Sequence, residues 1–386
     1  MSSVHNHRTL RVCFFGTYDS RYPGNAVLIE GLRGNGVEVM ECHVPLWETT
    51  PIKDAEYFGL WSTVRLAGRF AVATARLLTE AARLPRCDVV IAGFNGYLDL
   101  PLAKLVARGW SAKLVFNPMM SIYDTLVLDR RHFAESSAGA RLILQLERAL
   151  YKLPDAILLD SRAHYRFFVE QLKCPWAKFR QLWFGVDERI FRMRRSKPKD
   201  GRFRLLFYGK YQPLQGVVHI VEAAKRVESD PDIVFSLIGH GPTWPEVQQR
   251  ARELKTRNIE FVKWVDFDKL PDLIARADVC LGIFGTSGKV SRCMPNKVVQ
   301  ALAMGRPVIT GYTDAMGELL RDGEHVVFCQ LGDPEGLAAA IIRLKQDREL
   351  RCRIAQGGHE LFCERLSPLR MGALARKHLE ELVTVD

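Results

Sequence analysis

The chain has 386 residues, of which 47% are hydrophobic and 26% charged. At ~150 residues per domain, this predicts two or three domains with cores of their own and excludes a disordered, collagen-like or low-complexity chain. Lys and Arg number 55 against 44 Asp and Glu, a net charge of +11, which favours an anionic partner (nucleic acid, acidic lipid or a phosphorylated small molecule) without choosing among them.

Leu10 to Gly16 is a β-branched and aromatic run. Asn25 to Gly36 then repeats apolar residues (Val27, Leu28, Leu32) at helical spacing, and Val37 to Val44 reads as the next strand. This βαβ opening predicts a parallel sheet covered by helices. The intervening loop, GTYDSRYPG, is flanked by Gly16 and Gly24. A helical pattern follows over about 55–84, where Tyr57, Phe58, Trp61, Phe70, Leu77 and Leu78 alternate with Arg65, Arg69, Arg76, Arg83 and Arg86. Such a face suits an ordinary solvent-facing helix or an anionic membrane surface. Further strands read at Asp88 to Gly93, Lys113 to Asn117 and Asp155 to Leu159, with a helix over 136–153. Asp124 follows the second of these strands in FNPMMSIYDTLVLDRR and either orients or deprotonates an acceptor hydroxyl or caps the next helix. His164 reads as a packing or capping residue.

The polar, basic stretch RMRRSKPKDGRF (192–203) marks a hinge. Beyond it a second βαβ series has strands at Arg204 to Tyr208, Ile233 to Ile238, Ile259 to Val262, Val279 to Ile283, Pro307 to Thr310 and Val326 to Cys329. The expected division is 1–195 and 203–365, with a ligand cleft between the halves. Pro295-Asn296 followed by Lys297 to Met304 reads as a helix start capped by Asn296, whose free N–H groups suit a phosphate. Lys210 and Lys297 are the candidate cations.

Other signals exclude more than they propose. The nine cysteines contain no CxxC pair and read as buried, reduced thiols of a cytosolic protein. No apolar core of a signal peptide precedes the first strand, and the greasy run from Val64 to Leu78 is broken by Arg65, Arg69 and Arg76, too short and charged to cross a bilayer. The expected location is cytoplasmic, at most peripheral on the inner face of a membrane. Asp268, in Asp266-Phe267-Asp268, is read as a helix cap rather than a metal ligand. Gly239-His240-Gly241 lacks the third glycine of a dinucleotide fingerprint, and no P-loop, metal-spaced cluster or nucleic-acid module is present.

Six segments carry a resemblance: PNKVVQALAMGRPVITG from Pro295, the following DAMGELLRDGEHVVFCQLGDPEGLAAAIIRL, FYGKYQPLQGVVHIVEAAKRV (207–227), FSLIGHGP (235–242), FVKWVDFDKLPDLIARADVCLGIF (261–284) and WFGVDERIF (183–191). Together they resemble the family 4 glycosyltransferases, retaining enzymes of the GT-B fold. The resemblance implies an α/β architecture of two Rossmann-like domains facing each other across a cleft. A nucleoside-diphosphate sugar would bind the second domain and the acceptor, a glycan, glycolipid or small molecule, the first. It implies front-face substitution assisted by the leaving diphosphate, with no metal or other cofactor, and a last helix from about 366 crossing back onto the first domain. The Gly16–Gly24 loop would close over the phosphates. Gly209, Lys210, Gln215, Gly241, Asn296 and Lys297 would line the donor site, Gln300 would hold the ribose, and backbone groups at Ser287 and Gly288 would reach the sugar. The chain departs from the family at its Glu-x7-Glu pair, which is Arg292 and Gln300 here, and at its basic pair, which is Lys210 and Gln215. A guanidinium cannot accept from a sugar hydroxyl. A nucleotide-sugar epimerase on the same fold and a catalytically silent nucleotide-sugar binding partner are therefore alternative readings.

Overall fold

The computed structural model describes residues 9–20, 22–46, 60–194 and 200–384, with side chains omitted for 60–64. Tyr57, Phe58, the Trp61 side chain and hinge residues 195–199 lie outside the described set. Two parallel six-stranded sheets organise the chain. The first comprises β1 (Arg11–Gly16), β2 (Glu38–His43), β3 (Val89–Ala92), β4 (Lys113–Phe116), β5 (Ala156–Leu159) and β6 (Phe179–Gln181), in the order β2-β1-β3-β4-β5-β6. Its helices are α1 (Pro23–Gly34), α2 (Leu60–Ala81), α3 (Leu100–Trp110), α4 (Ala138–Leu150) and α5 (Arg162–Leu172). The central strands VVIA and AILL are buried on both faces, as continuous apolar runs in a parallel sheet must be.

The second sheet comprises β7 (Phe203–Tyr208), β8 (Ile233–Ile238), β9 (Ile259–Val262), β10 (Val279–Leu281), β11 (Val308–Gly311) and β12 (Val327–Cys329), ordered β12-β11-β10-β7-β8-β9. Around it lie α6 (Val217–Arg226), α7 (Trp244–Leu254), α8 (Leu270–Arg276), α9 (Asn296–Ala303), α10 (Asp314–Gly317), α11 (Pro334–Gln346) and α12 (Arg348–Leu361). Each sheet has a switch point where chain direction across the sheet reverses, between β1 and β3 in the first and β7 and β10 in the second. Ligand crevices in open α/β sheets form beyond the strand ends at such points.

The last helix, α13 (Pro368–Thr384), returns to the first domain. Met371, Ala375 and Leu379 join the apolar cluster of Val12, Phe14, Val27 and Leu28. The approach to α1 requires glycine on both sides, because a Cβ on Gly372 would lie 2.0 Å from the Gly31 carbonyl oxygen.

Several local expectations are corrected. Gly24 does not end the loop after β1. It lies in the first turn of α1, which Pro23 opens with its preset φ. Asp124 caps no helix and instead opens a π-helical turn, Asp124–Asp129. Asn296 is the first residue of α9 and not its cap. The cap position belongs to Pro295, whose φ of −73° and ψ of 132° leave it extended, with no side chain bonding the helix end. Asp268 likewise bonds no helix N–H, since it sits inside a short 3₁₀ turn that leads straight into α8. Of the cysteines, Cys352 and Cys363 are exposed and Cys293 and Cys329 half-buried, so only five are buried thiols.

Candidate functional site

The loop that leaves β1 is built around glycine. Gly16 has φ of 121°, and a Cβ there would meet the Asp99 carboxylate at 2.4 Å. That carboxylate accepts from the Thr17 backbone N–H at 2.7 Å and the Thr17 hydroxyl at 3.0 Å, fixing the loop. Burial pushes the Asp99 carboxyl up to about 6, the two Thr17 bonds opposing the shift. Gly24 packs against Met119, and the Tyr22 side chain between the two glycines hydrogen-bonds the Asn296 side chain across the cleft.

Opposite this loop, the end of β7 and the start of α9 bring three expected residues together. Lys297 is only 8% exposed, and its ammonium bonds the side-chain oxygen of Gln215 and rests 3.7 Å from the centre of the Phe207 ring. Gly209, with φ of 147°, leaves room for it, since a Cβ there would sit 3.1 Å from Lys297 Nζ. Burial holds the Lys297 amine well below its ordinary range. A lysine kept dry with one neutral amide and one ring face lacks the charged partner that would offset its desolvation. The N–H groups of the first turn of α9 point the same way as its positive dipole end. Gln300, on the same helix, is buried. Lys210 is exposed and stands apart from this cluster, and Gly241 packs tightly on the Tyr211 backbone.

The loop after β10 meets the π-helical turn of the first domain. Arg292 Nη2 donates to Asp124 Oδ1 at 2.6 Å, Lys289 Nζ to the Thr125 hydroxyl at 2.8 Å, and the Ser287 hydroxyl to Asp129 Oδ1 at 3.2 Å. The Arg292 guanidinium lies 4.4 Å from the Phe167 ring centre. Asp124 is 1% exposed, and its second oxygen and the Arg292 Nε have no hydrogen-bond partner. Burial raises the Asp129 carboxyl, with Lys289 and Ser287 opposing. Gly288 faces open space. A second clasp lies at α5, where the Glu318 carboxylate accepts from the Arg162 and Ala163 backbone N–H groups, both at 2.9 Å, and from Gln181 at 3.0 Å.

Sequence reasoning placed Asp124 near the cleft but gave Arg292 no partner. The pair joins positions 168 residues apart, and no spacing signal announces it. His164 proves to be a buried packing residue bonded to Asp160 at 2.9 Å. Asp266 pairs with Lys269 and Asp268 is exposed. Among the described residues no group of three or more His, Cys, Asp or Glu converges as a metal site, and no helix is long and apolar enough to cross a membrane.

Residues 202–347, the segment bearing Gly209, Lys297 and the Arg292 loop, match the family described as glycosyl transferases group 1. This segment, rather more than a third of the chain, is what resembles the group 1 glycosyl transferases. The chain is similar to the lipopolysaccharide core biosynthesis glycosyltransferase LpsE of Rhizobium meliloti, with 28% identity over 160 residues, 41% of this chain and 44% of that protein. The match to LpsE thus spans less than half of either chain. In overall fold it resembles Anabaena HepE in complex with UDP-glucose (TM-score 0.66, 15% identity, 96% of this chain and all of that one). It also resembles a sucrose-phosphate synthase from Thermosynechococcus elongatus (TM-score 0.69, 14% identity, 98% of this chain and all of that one). The fold of the chain is GT-B, two Rossmann-like domains each built on a parallel six-stranded sheet.

Proposed function

We propose that the chain is a metal-independent, retaining glycosyltransferase that moves a sugar from a nucleoside-diphosphate sugar to an acceptor hydroxyl in polysaccharide, glycolipid or glycoside biosynthesis. The observation that carries this reading is Lys297, buried at the start of α9 beside Gly209 and Gln215 at the switch point of the second sheet. There it would neutralise the leaving diphosphate, together with the first N–H groups of α9. The UDP and UDP-glucose complexes of HepE support a nucleoside-diphosphate donor. Gln300 would serve the ribose and Gly16 the phosphates from the opposite lip. Asp124 would hold or deprotonate the acceptor, and domain closure would keep water from the donor.

Acceptor delivery from an anionic membrane fits the outer face of α2, where Val72 and Leu78 are exposed among Arg65, Arg76 and the following Arg83 and Arg86. A second reading, a silent nucleotide-sugar binder, is favoured by the cross-cleft pair of Arg292 with Asp124, which ties up the carboxylate an acceptor would need. Titration with UDP, GDP and ADP, followed by donor hydrolysis and transfer assays, separates the two. Binding with turnover supports the transferase, and binding without turnover of any donor supports the silent binder. A Lys297→Ala variant that keeps wild-type nucleotide affinity would remove the proposed site.

A further inference from the structure

A cavity of about 430 Å³ is bordered by the Ser287–Asp129 bridge between the loop after β10 and the first domain, and Lys297 is not among its lining residues. Its size falls within the ~300–1,000 Å³ of small-molecule sites. Its floor is second-domain chain: Gln212, the start of α6 with His219, and the start of α7 with Thr243 and Glu246. Its roof is the first-domain turn ending in Asp129 and Arg131. The floor is rigid. Gly216, with φ of 60°, seats α6 so closely on the loop after β10 that a Cβ would lie 2.3 Å from the Gly285 nitrogen. Neither α6 nor α7 has a side chain capping its N-terminus, so backbone N–H groups of both border the space.

The decisive group is Gln212. It is only 6% exposed, it lines the cavity, and neither its side-chain oxygen nor its nitrogen has a hydrogen-bond partner. Its backbone is already committed, the N–H to the Lys210 carbonyl and the carbonyl to the Gln215 N–H, so the side chain has no structural duty in the turn. A buried amide unpaired at both ends is a standing cost unless something enters that donates and accepts at once. An anion would satisfy the nitrogen alone and a cation the oxygen alone, whereas adjacent sugar hydroxyls satisfy both. The charged lining is balanced, Asp129 and Glu246 against Arg130 and Arg131, and beside Gln212 and the His219 imidazole the rest is hydroxyl, backbone and aliphatic surface. We infer that this cavity is a glycan subsite, read by Gln212, that holds a neutral, hydroxyl-rich segment of the acceptor. The inference rests on the transferase reading and narrows its acceptor to a neutral oligosaccharide, as against a headgroup phosphate or an apolar aglycone.

The test uses the full chain, neutral trisaccharides (maltotriose, cellotriose, mannotriose), a sulfated oligosaccharide and UDP, each titrated by calorimetry and by saturation-transfer NMR. At least one neutral trisaccharide should bind, and Gln212→Leu should weaken it by about tenfold or more. UDP affinity should stay within about twofold, and the thermal midpoint should be equal or higher, since an unpaired buried amide is removed. Failure of every neutral trisaccharide at about 20 mM would overturn the inference. So would unchanged affinity in Gln212→Leu, or Gln212-dependent binding of the sulfated sugar alone. Failure of the wild type to bind any of UDP, GDP and ADP would instead defeat the transferase reading, whatever the glycans do.

Discussion

Across the cleft, the first domain presents Asp124, Asp129 and Asp160, each 5% exposed or less, while the second presents Lys289, Arg292 and Lys297. The first lip is acidic and dry; the second is basic and dry. In such surroundings an unpaired charge is costly and a well-placed partner strongly attractive, so each lip supplies what the other lacks. Closing the domains satisfies Arg292 and Lys289 but leaves Lys297 with only a neutral amide and a ring. The contrast separates two kinds of cation on one lip: those paired with the opposite domain and one that meets only a neutral amide and a ring.

The harshest way to break this complementarity is Arg292→Glu, which sets a carboxylate against Asp124. Disrupting a buried pair costs ~3–5 kcal/mol. Small-angle scattering should show an opened molecule, transfer should fall about a hundredfold or more, and the exchanged double variant Asp124→Arg with Arg292→Asp should recover compactness. An unchanged radius of gyration in the single variant would show that the clasp does not close the cleft.

Lys297→Met sharpens the other half of the contrast, with nucleoside-diphosphate affinity expected to fall about tenfold or more, ~1.4 kcal/mol. Burial lowers the Lys297 value, and the charge of a bound diphosphate would raise it again. Binding should therefore take up protons and weaken as pH rises. Calorimetry in buffers of different ionisation enthalpy reads the uptake directly, and Lys297→Met should abolish it.

Asp99 tests the acidic lip alone. Its folded value, about 6 against 3.8, lies above the unfolded one, so the folded state binds more protons between these limits and loses stability as pH rises through them. Asp99→Asn should gain on the wild type from pH 4 to 7, by at most ~3 kcal/mol, in thermal melts across that range. A difference that stays flat with pH would place the Asp99 value near its ordinary one.

The smallest effect concerns charge outside the cleft. Replacing Arg65 and Arg76 with Gln should reduce co-sedimentation with anionic vesicles at low salt by a few-fold, at ~1 kcal/mol per basic residue near the surface. Equal pelleting of wild type and variant would remove the membrane from the proposal.

Five of the six strands of the first sheet and all six of the second were legible, central ones such as Val89–Ala92 and Ala156–Leu159 because burial on both faces demands unbroken apolar runs, whereas the three-residue edge strand Phe179–Gln181 gave no such signal. The start of α9 was legible too, but its cap was misassigned to Asn296, because Pro295 takes the extended position and the Asn296 side chain meets Tyr22 of the other domain. Arg292 read as a loss when set against a family carboxylate, and its meaning appeared only with Asp124 beside it. The π-helical turn at Asp124–Asp129 has no periodicity of its own, since it is shaped by contacts from the opposite domain.

The contact of Gly372 with Gly31 also sets an order of events during synthesis. The apolar face of β1 and α1 is covered by Met371, Ala375 and Leu379, so a nascent first domain carries an open seam while the entire second domain is being made. The second domain, contiguous in sequence, can reach its native packing first, and the earliest residues of the chain wait for the latest. A ribosome stalled before α13 should hold a finished second domain and an unfinished first domain.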